Sequence, residues 1–290
     1  QGIGSVGFTP QLKKVLLEKL ESKFPVTLPS DPGLDTLGCM EAAHQGNFEF
    51  AWNLGGNLYG SSPDSTFATE ALSKVDFTLY LNTTLNQGHF LGRGKTTLIL
   101  PVVARDEEPE PTTQESMFSF IRLSEGGPAR YLGPRSEVKI ISEIAEMVLS
   151  NDPLPWDKFG KTGNIRHLIA EVIPGFAKLK EIDKTYKEFH IEGRILHSPK
   201  FPSSSGKAKF KVCPIPAVRK NSQNSFTLMT VRSEGQFNTV VYDTKDRYRG
   251  ISCRNVVLMN QNDMDRLGLL EGNKITVTNE TGKMVNQKAI

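Results

Sequence analysis

Leu12, Val15, Leu16, Leu20 and Phe24 recur at helical spacing behind a proline at position 10, which predicts a helix over residues 10–24. A turn and a short helix are expected over residues 30–43. The pattern then shortens its period. Phe48 to Leu54 reads as a strand ended by Gly55-Gly56-Asn57, and Pro63-Asp64-Ser65 opens a helix that runs to about Lys74. Phe77 to Leu81 and Thr97 to Val102 are two further apolar runs of strand length. Strand, helix and strand at this spacing predict a βαβ unit with a parallel sheet. Residues 104–134, rich in Glu, Pro and Gly, read as a long irregular excursion, a kind of loop that is uncommon without a function. Val138, Ile141, Ile144, Ala145 and Val148 share one face of a helix expected over residues 136–149.

After Asn151 the composition shifts. Residues 151–205 hold two helical pieces and a polar run, Ser203-Ser204-Ser205-Gly206, and a domain boundary is expected within that span. From Lys207 the period changes again. Lys207 to Val212 alternates, and short strands are expected at Phe226–Val231, Thr239–Tyr242, Asn255–Met259 and Lys274–Thr278, with one helix at Gln261–Leu267. Many short strands with few helices suggest a compact β-barrel.

Composition narrows the function classes. At 290 residues the chain suits about two domains. Its hydrophobic share of 38% excludes a disordered chain, and no apolar run is long enough to span a membrane. A net charge of +3, with 35 bases interleaved among 32 acids, does not make a nucleic-acid surface. Cys39, Cys213 and Cys253 are far apart and odd in number, so no disulfide framework is expected, which fits a reducing, cytoplasmic compartment. The chain starts at Gln1 and stops soon after a hairpin signal at Glu280-Thr281-Gly282, so a fragment is expected.

Four stretches could carry chemistry. Gly94-Lys95-Thr96 resembles the end of a phosphate-binding loop, but the upstream glycine, Gly88, is one residue too far and the motif precedes a strand instead of following one. A loop feeding a strand is the better reading. Gly55, Gly56 and Asn57 sit just past a strand end and before a helix, where backbone N–H groups can approach an anion; an ordinary turn reads equally well. Asp64 could accept from a guanine edge or a ribose, or could cap the helix. Asn82, Thr83 and Thr84 would share the same rim, where polar residues suit a sugar or simply a solvent-facing loop. In the C-terminal half, Arg232 can hold a diphosphate in a bidentate way, and Gln236, Asn238 and Thr239 can offer amide and hydroxyl donors; on composition alone a polar loop between strands is the better reading. The five histidines make no ligand spacing, so no metal site on protein ligands is expected. Asp106, Glu107 and Glu108, with Glu115 beyond, could do acid–base work or form a solvated loop.

Together these stretches resemble the C-terminal part of the molybdopterin-dependent oxidoreductases, the group that includes formate dehydrogenases and dimethyl-sulfoxide reductases. The nearer likeness is to bacterial formate-dehydrogenase-like alpha subunits. It is carried by Leu54–Asn57 with Ser62–Asp64, by Leu85, Asn86, His89 and Ile99–Pro101, by Ser136–Ala145, by Ser205–Phe210, by Thr230–Thr239 and by Arg254–Val277, in the family's order. The resemblance implies α/β plus all-β architecture: a Rossmann-like parallel-sheet domain over residues 1–150, a helical and extended connector over 151–205, and a double-psi-type β-barrel over 206–290, incomplete at its C-terminus. It implies molybdenum held by two molybdopterin guanine dinucleotides in the full-length protein.

The resemblance assigns Gly55, Gly56, Asn57, Asp64 and Asn82 to the nucleotide-binding edge of the first domain, with Asn82 standing where many relatives carry an acid. It assigns Arg232, Gln236, Asn238 and Thr239 to the barrel, the two loops gripping one ligand. The family's iron–sulfur cysteines and molybdenum ligand lie upstream of this region. An iron–sulfur cluster is therefore not carried by these residues, and no catalytic residue is assigned. The implied parent is a two-electron oxidoreductase with a small-molecule substrate and a redox partner, and the isolated chain is expected to be inactive. A cofactor-free binding or scaffold module that kept the fold is the alternative.

Overall fold

The computed structural model describes residues 9, 11, 13–116, 119–192, 201, 203–217, 225–229, 245–246, 249–280 and 282–290. The chain divides into two compact units, Gln1–Phe210 and Lys211–Ile290.

The first unit opens with α1 (Lys14–Lys23) and α2 (Thr36–His44). Asp35 caps α2, its carboxylate accepting from the Gly38 N–H at 2.8 Å. Then come β1 (Phe50–Leu54), α3 (Leu58–Ser61), α4 (Ser65–Ser73), β2 (Phe77–Asn82), α5 (Gly88–Leu91) and β3 (Thr96–Pro101). The strands form one parallel sheet in the order β1-β2-β3, with Leu54 opposite Leu81 and Asn82 opposite Pro101 at the carboxyl edge. The expected parallel sheet is present.

Both faces of this sheet are covered, which is why its central strand β2 reads as an apolar run. On one face Met40 and Ala43 of α2 pack with Ala68, Ala71 and Leu72 of α4, and Ala51 of β1 and Tyr59 border that cluster. On the other, Leu79 and Leu81 meet Ile140 of α6 (Glu137–Val148), with Trp52 and Ile144 alongside. Leu81 is fully buried, and full burial of such a side chain contributes roughly 1.5–3 kcal/mol.

Residues 104–134 depart from the expected irregular excursion. A short 3-10 turn, Arg105–Glu107, leads to β4 (Thr112–Glu115) and β5 (Phe120–Ser124), which pair antiparallel, Thr113 opposite Leu123. The pattern hid β4 because all four of its residues are polar. The strand is held by its ladder to β5 and not by an apolar face of its own. The pairing extends to β6 (Phe189–His190).

Three helices follow α6 and precede β6: α7 (Trp156–Phe159), α8 (Thr162–Val172) and α9 (Leu179–Thr185). With α1 and β5, α8 and α9 build a further core that includes Leu16, Ile121, Val172, Phe176, Ile182 and Ile191.

The alternating segment Lys207–Val212 is not a strand. Every residue in it is exposed, Phe210 at 95% and Val212 at 92%. Alternation specifies a strand only where a neighbour supplies the ladder, and none is present there among the described residues.

The second unit holds β7 (Val256–Val257), α10 (Gln261–Leu267), β8 (Lys274–Thr278) and β9 (Lys283–Ala289). Gly268, at φ +66°, ends α10 in the left-handed conformation that glycine adopts without steric cost. The sheet order is β7-β9-β8, parallel between β7 and β9 and antiparallel between β8 and β9. The strand expected over Asn255–Met259 shrinks to two residues. Phe226–Met229 is not in a strand, while residues 230–231 and the strand expected at 239–242 lie outside the described residues. Among the described residues these strands do not close into a barrel.

Candidate functional site

The carboxyl ends of β1 and β2 form a polar rim. The Gly55 N–H donates to the Leu81 carbonyl oxygen at 2.8 Å, carrying the β1–β2 ladder one residue past the strand. Gly55 and Gly56 then turn the chain at φ +63° and +69°, a conformation that costs side-chain-bearing residues about 1–2 kcal/mol each. Apart from the chain neighbours, no described residue comes within 4 Å of where a Cβ would stand at either glycine, so among the described residues the backbone faces open space. The Gly56 carbonyl oxygen points the other way, accepting from Asn82 Nδ2 at 3.1 Å and Asn86 Nδ2 at 2.9 Å.

Strand alternation puts Asn53 and Asn82 on the same face as Ala51. Their amides are only partly used: Asn53 Nδ2 and Asn82 Oδ1 are buried without a partner among the described residues. Such groups cost about 1–3 kcal/mol when left unpaired. A donor and an acceptor held this way beside an open glycine turn suit a ligand that presents both hydrogen-bonding senses, as a sugar hydroxyl does. The residues present thus fit a nucleotide.

Two of the sequence candidates have structural duties. Asn57 caps α3, its side-chain oxygen accepting from the Gly60 N–H at 2.8 Å. Asp64 caps α4 in the same way, accepting from the Phe67 N–H at 2.9 Å. Of the readings open for Asp64, the cap is the one the described hydrogen bonds contain. Asn82 does stand on the rim with the two glycines. Arg232, Gln236, Asn238 and Thr239 lie outside the described residues.

Sequence reading missed Asn53, and it treated Asn86 and His89 only as marks of resemblance. His89 is 2% exposed and lies edge-on to Tyr80, ring centroids 4.9 Å apart. Its Nδ1 accepts from the Asn86 N–H at 3.0 Å, so the neutral ring carries its proton on Nε2. Burial pushes the His89 pKa down and the Tyr80 pKa up. Both side chains are therefore uncharged at neutral pH. Tyr80 in turn donates its hydroxyl proton to the Gly92 carbonyl oxygen at 2.6 Å. A polar residue inside an apolar strand, as at Asn53, was the available signal.

Gly94-Lys95-Thr96 leads into the amino end of β3, the opposite edge of the sheet, and the Lys95 ammonium pairs with Asp76. It cradles nothing at the rim. Two members of the acidic run have structural partners: Asp106 and Glu107 both pair with Arg130, and Glu107 further accepts from the Ala104 and Arg130 N–H groups. The side-chain hydrogen bond from Arg130 holds Asp106 below the usual carboxylate range, and the two backbone donors do so for Glu107. Among the described residues no group of three or more His, Cys, Asp or Glu could hold a metal. No described helix is long and apolar enough to cross a membrane.

Comparison with known proteins adds the chemistry. Residues 226–290 match the molydopterin dinucleotide binding domain. The chain is 30% identical, over 97% of its length, to an uncharacterized oxidoreductase of Mycobacterium tuberculosis and to its counterpart in Mycobacterium bovis, covering 37% of each. It is 29% identical to the protein YdeP of Escherichia coli over 89% of this chain and 35% of that protein. The chain thus spans little more than a third of the length of the curated relatives it matches. These similarities support a chain related to the molybdopterin oxidoreductases, with molybdopterin dinucleotide binding in its C-terminal residues.

Proposed function

We propose that the chain is the C-terminal part of a molybdopterin-dependent oxidoreductase of the formate-dehydrogenase-like type. The observation that carries the reading is the match of residues 226–290 to a dinucleotide-binding domain. The rim of the first unit supports it independently, through open glycines beside a buried donor and acceptor that have no partner among the described residues.

When bound, molybdenum bis(molybdopterin guanine dinucleotide) supplies two-electron redox chemistry. This chain's residues bind and orient. The backbone of Gly55 and Gly56 makes room for a close approach, Asn53 Nδ2 donates to the nucleotide and Asn82 Oδ1 accepts from it. Asn57 and Asp64 shape the rim by capping the helices that follow. In the C-terminal residues, whose fold in this reading is a double-psi β-barrel, Arg232 takes a diphosphate and Gln236, Asn238 and Thr239 hold its neighbours. The small-molecule substrate, the redox partner and any iron–sulfur cluster belong to the whole protein, which works in the cytoplasm. The isolated chain is inactive.

The test is metal analysis and pterin fluorescence on the full-length protein purified from molybdate-supplemented cells. Molybdenum near stoichiometry, with pterin in excess of it, is expected. Arg232→Ala should lower both without unfolding the protein. Neither molybdenum nor pterin in the wild-type protein would overturn the reading in favour of a cofactor-free scaffold.

A further inference from the structure

The peptide between Gly56 and Asn57 is pinned from one side. Its carbonyl oxygen accepts from two side-chain amides, those of Asn82 and Asn86. In a trans peptide the C=O and N–H point in opposite directions, so this clamp aims the Asn57 N–H away from the loop that carries residues 82 and 86. No described residue accepts that N–H. Among the described residues the neighbouring glycine turn faces open space, and Asn53 Nδ2 and Asn82 Oδ1 remain buried without a partner on the same rim.

Asn86 is itself held on every side. Its N–H donates to His89 Nδ1 at 3.0 Å, its carbonyl oxygen accepts from the His89 N–H at 3.1 Å, and its side-chain oxygen accepts from the Gly88 N–H at 2.9 Å. Position 88 has no room for a side chain, because a Cβ there would stand 2.6 Å from Asn57 Oδ1 and 3.0 Å from Asn86 Oδ1. With its oxygen committed to Gly88, the Asn86 amide can present only its NH₂ group to Gly56.

We propose that Asn86 is a positioning residue: clamped by His89 and Gly88, it orients the Gly56–Asn57 peptide so that the Asn57 N–H is presented to a phosphate oxygen of a dinucleotide ligand. The assignment rests on the cofactor reading given above. It requires the side chain to donate, so a carboxylate of the same shape fails: Asp at 86 still accepts from Gly88 but sets a negative charge against the Gly56 carbonyl.

The test compares full-length wild type, Asn86→Asp, Asn86→Ala and Val172→Ala. Val172 belongs to the separate core around α8 and serves as a control for lost stability alone. Molybdenum and pterin content are measured in each, together with amide hydrogen exchange of the segment containing Asn57. Both Asn86 variants should lose about tenfold in cofactor content, the scale of one hydrogen bond to a charged group. They should also exchange faster at Asn57, while Val172→Ala keeps the wild-type content. Asn86→Asp or Asn86→Ala with wild-type content would overturn the assignment. So would an equal loss in Val172→Ala, which would make the effect one of stability. Wild-type protein lacking pterin would instead overturn the cofactor reading, and this assignment with it.

Discussion

Arg166 of α8 grips Asp183 of α9 through Nε to Oδ2 at 3.0 Å and Nη2 to Oδ1, while its Nη1 donates to the Pro111 carbonyl oxygen at 2.7 Å. The guanidinium side chain is 5% exposed. One cation thus ties two helices to the strand that opens at Thr112. Asp183 is 28% exposed and regains some solvation when its partner is removed, so Arg166→Ala should destabilise by roughly 2 kcal/mol, below the cost of breaking a fully buried pair. Urea titration would show the midpoint falling while the slope stays constant. A change below about 1 kcal/mol would mean that the pair is dispensable.

Glu137, in the first turn of α6, responds to pH in the opposite sense from the acids that face Arg130. Burial first, and then the charge of Glu108, raise its pKa above the ordinary glutamate value of 4.5. Below that value the folded and unfolded states both bind the proton and nothing is lost. As pH rises from about 4.5 through the raised folded value, the unfolded chain ionises first and stability falls. Glu137→Gln should therefore raise the melting temperature at pH 7 by a few degrees and leave it unchanged at pH 4. Scanning calorimetry at the two pH values checks this, and equal shifts at both would refute the titration account.

Gly56→Ala should cost about 1–2 kcal/mol through backbone conformation alone. Its φ is +69°, yet a methyl group there would touch nothing. Thermal unfolding should register this modest loss. Gly88→Ala tests the contrary case, since its φ is ordinary and its difficulty is the crowding against Asn57 and Asn86. It should disturb the rim more than Gly56→Ala does, read as faster amide exchange at Gly60, whose N–H donates to Asn57 Oδ1.

Lys95→Ala should change stability by no more than about 1 kcal/mol, because its pair with Asp76 is exposed. Cofactor content should stay at the wild-type level, and calorimetric titration with a nucleoside triphosphate should give no Lys95-dependent heat. Loss of triphosphate binding on this substitution would revive the phosphate-loop reading.

The parallel sheet was legible because β2 is buried on both faces and leaves an apolar run, Leu79-Tyr80-Leu81, in the middle of the strand. The glycine pair was legible because few other residues can turn the chain at positive φ. The role of an Asn or Asp is harder to read. The chemistry that lets Asn57 and Asp64 bind a ligand also lets them cap a helix, and only coordinates separate the two. The strand β4 was hidden because Thr, Thr, Gln and Glu give no apolar period, whereas Lys207–Val212 displays a strand's period without a partner. Asn86 and His89 act through a backbone contact three residues apart, which no periodicity encodes.

In the second unit β9 lies between β7 and β8 and hydrogen-bonds to both. It is also translated after both. Until Lys283–Ala289 has cleared the ribosome exit tunnel, neither of the earlier strands has the ladder mate seen among the described residues, so this small sheet can assemble only once synthesis has passed it. A stop codon before Lys283 would remove one strand and orphan two.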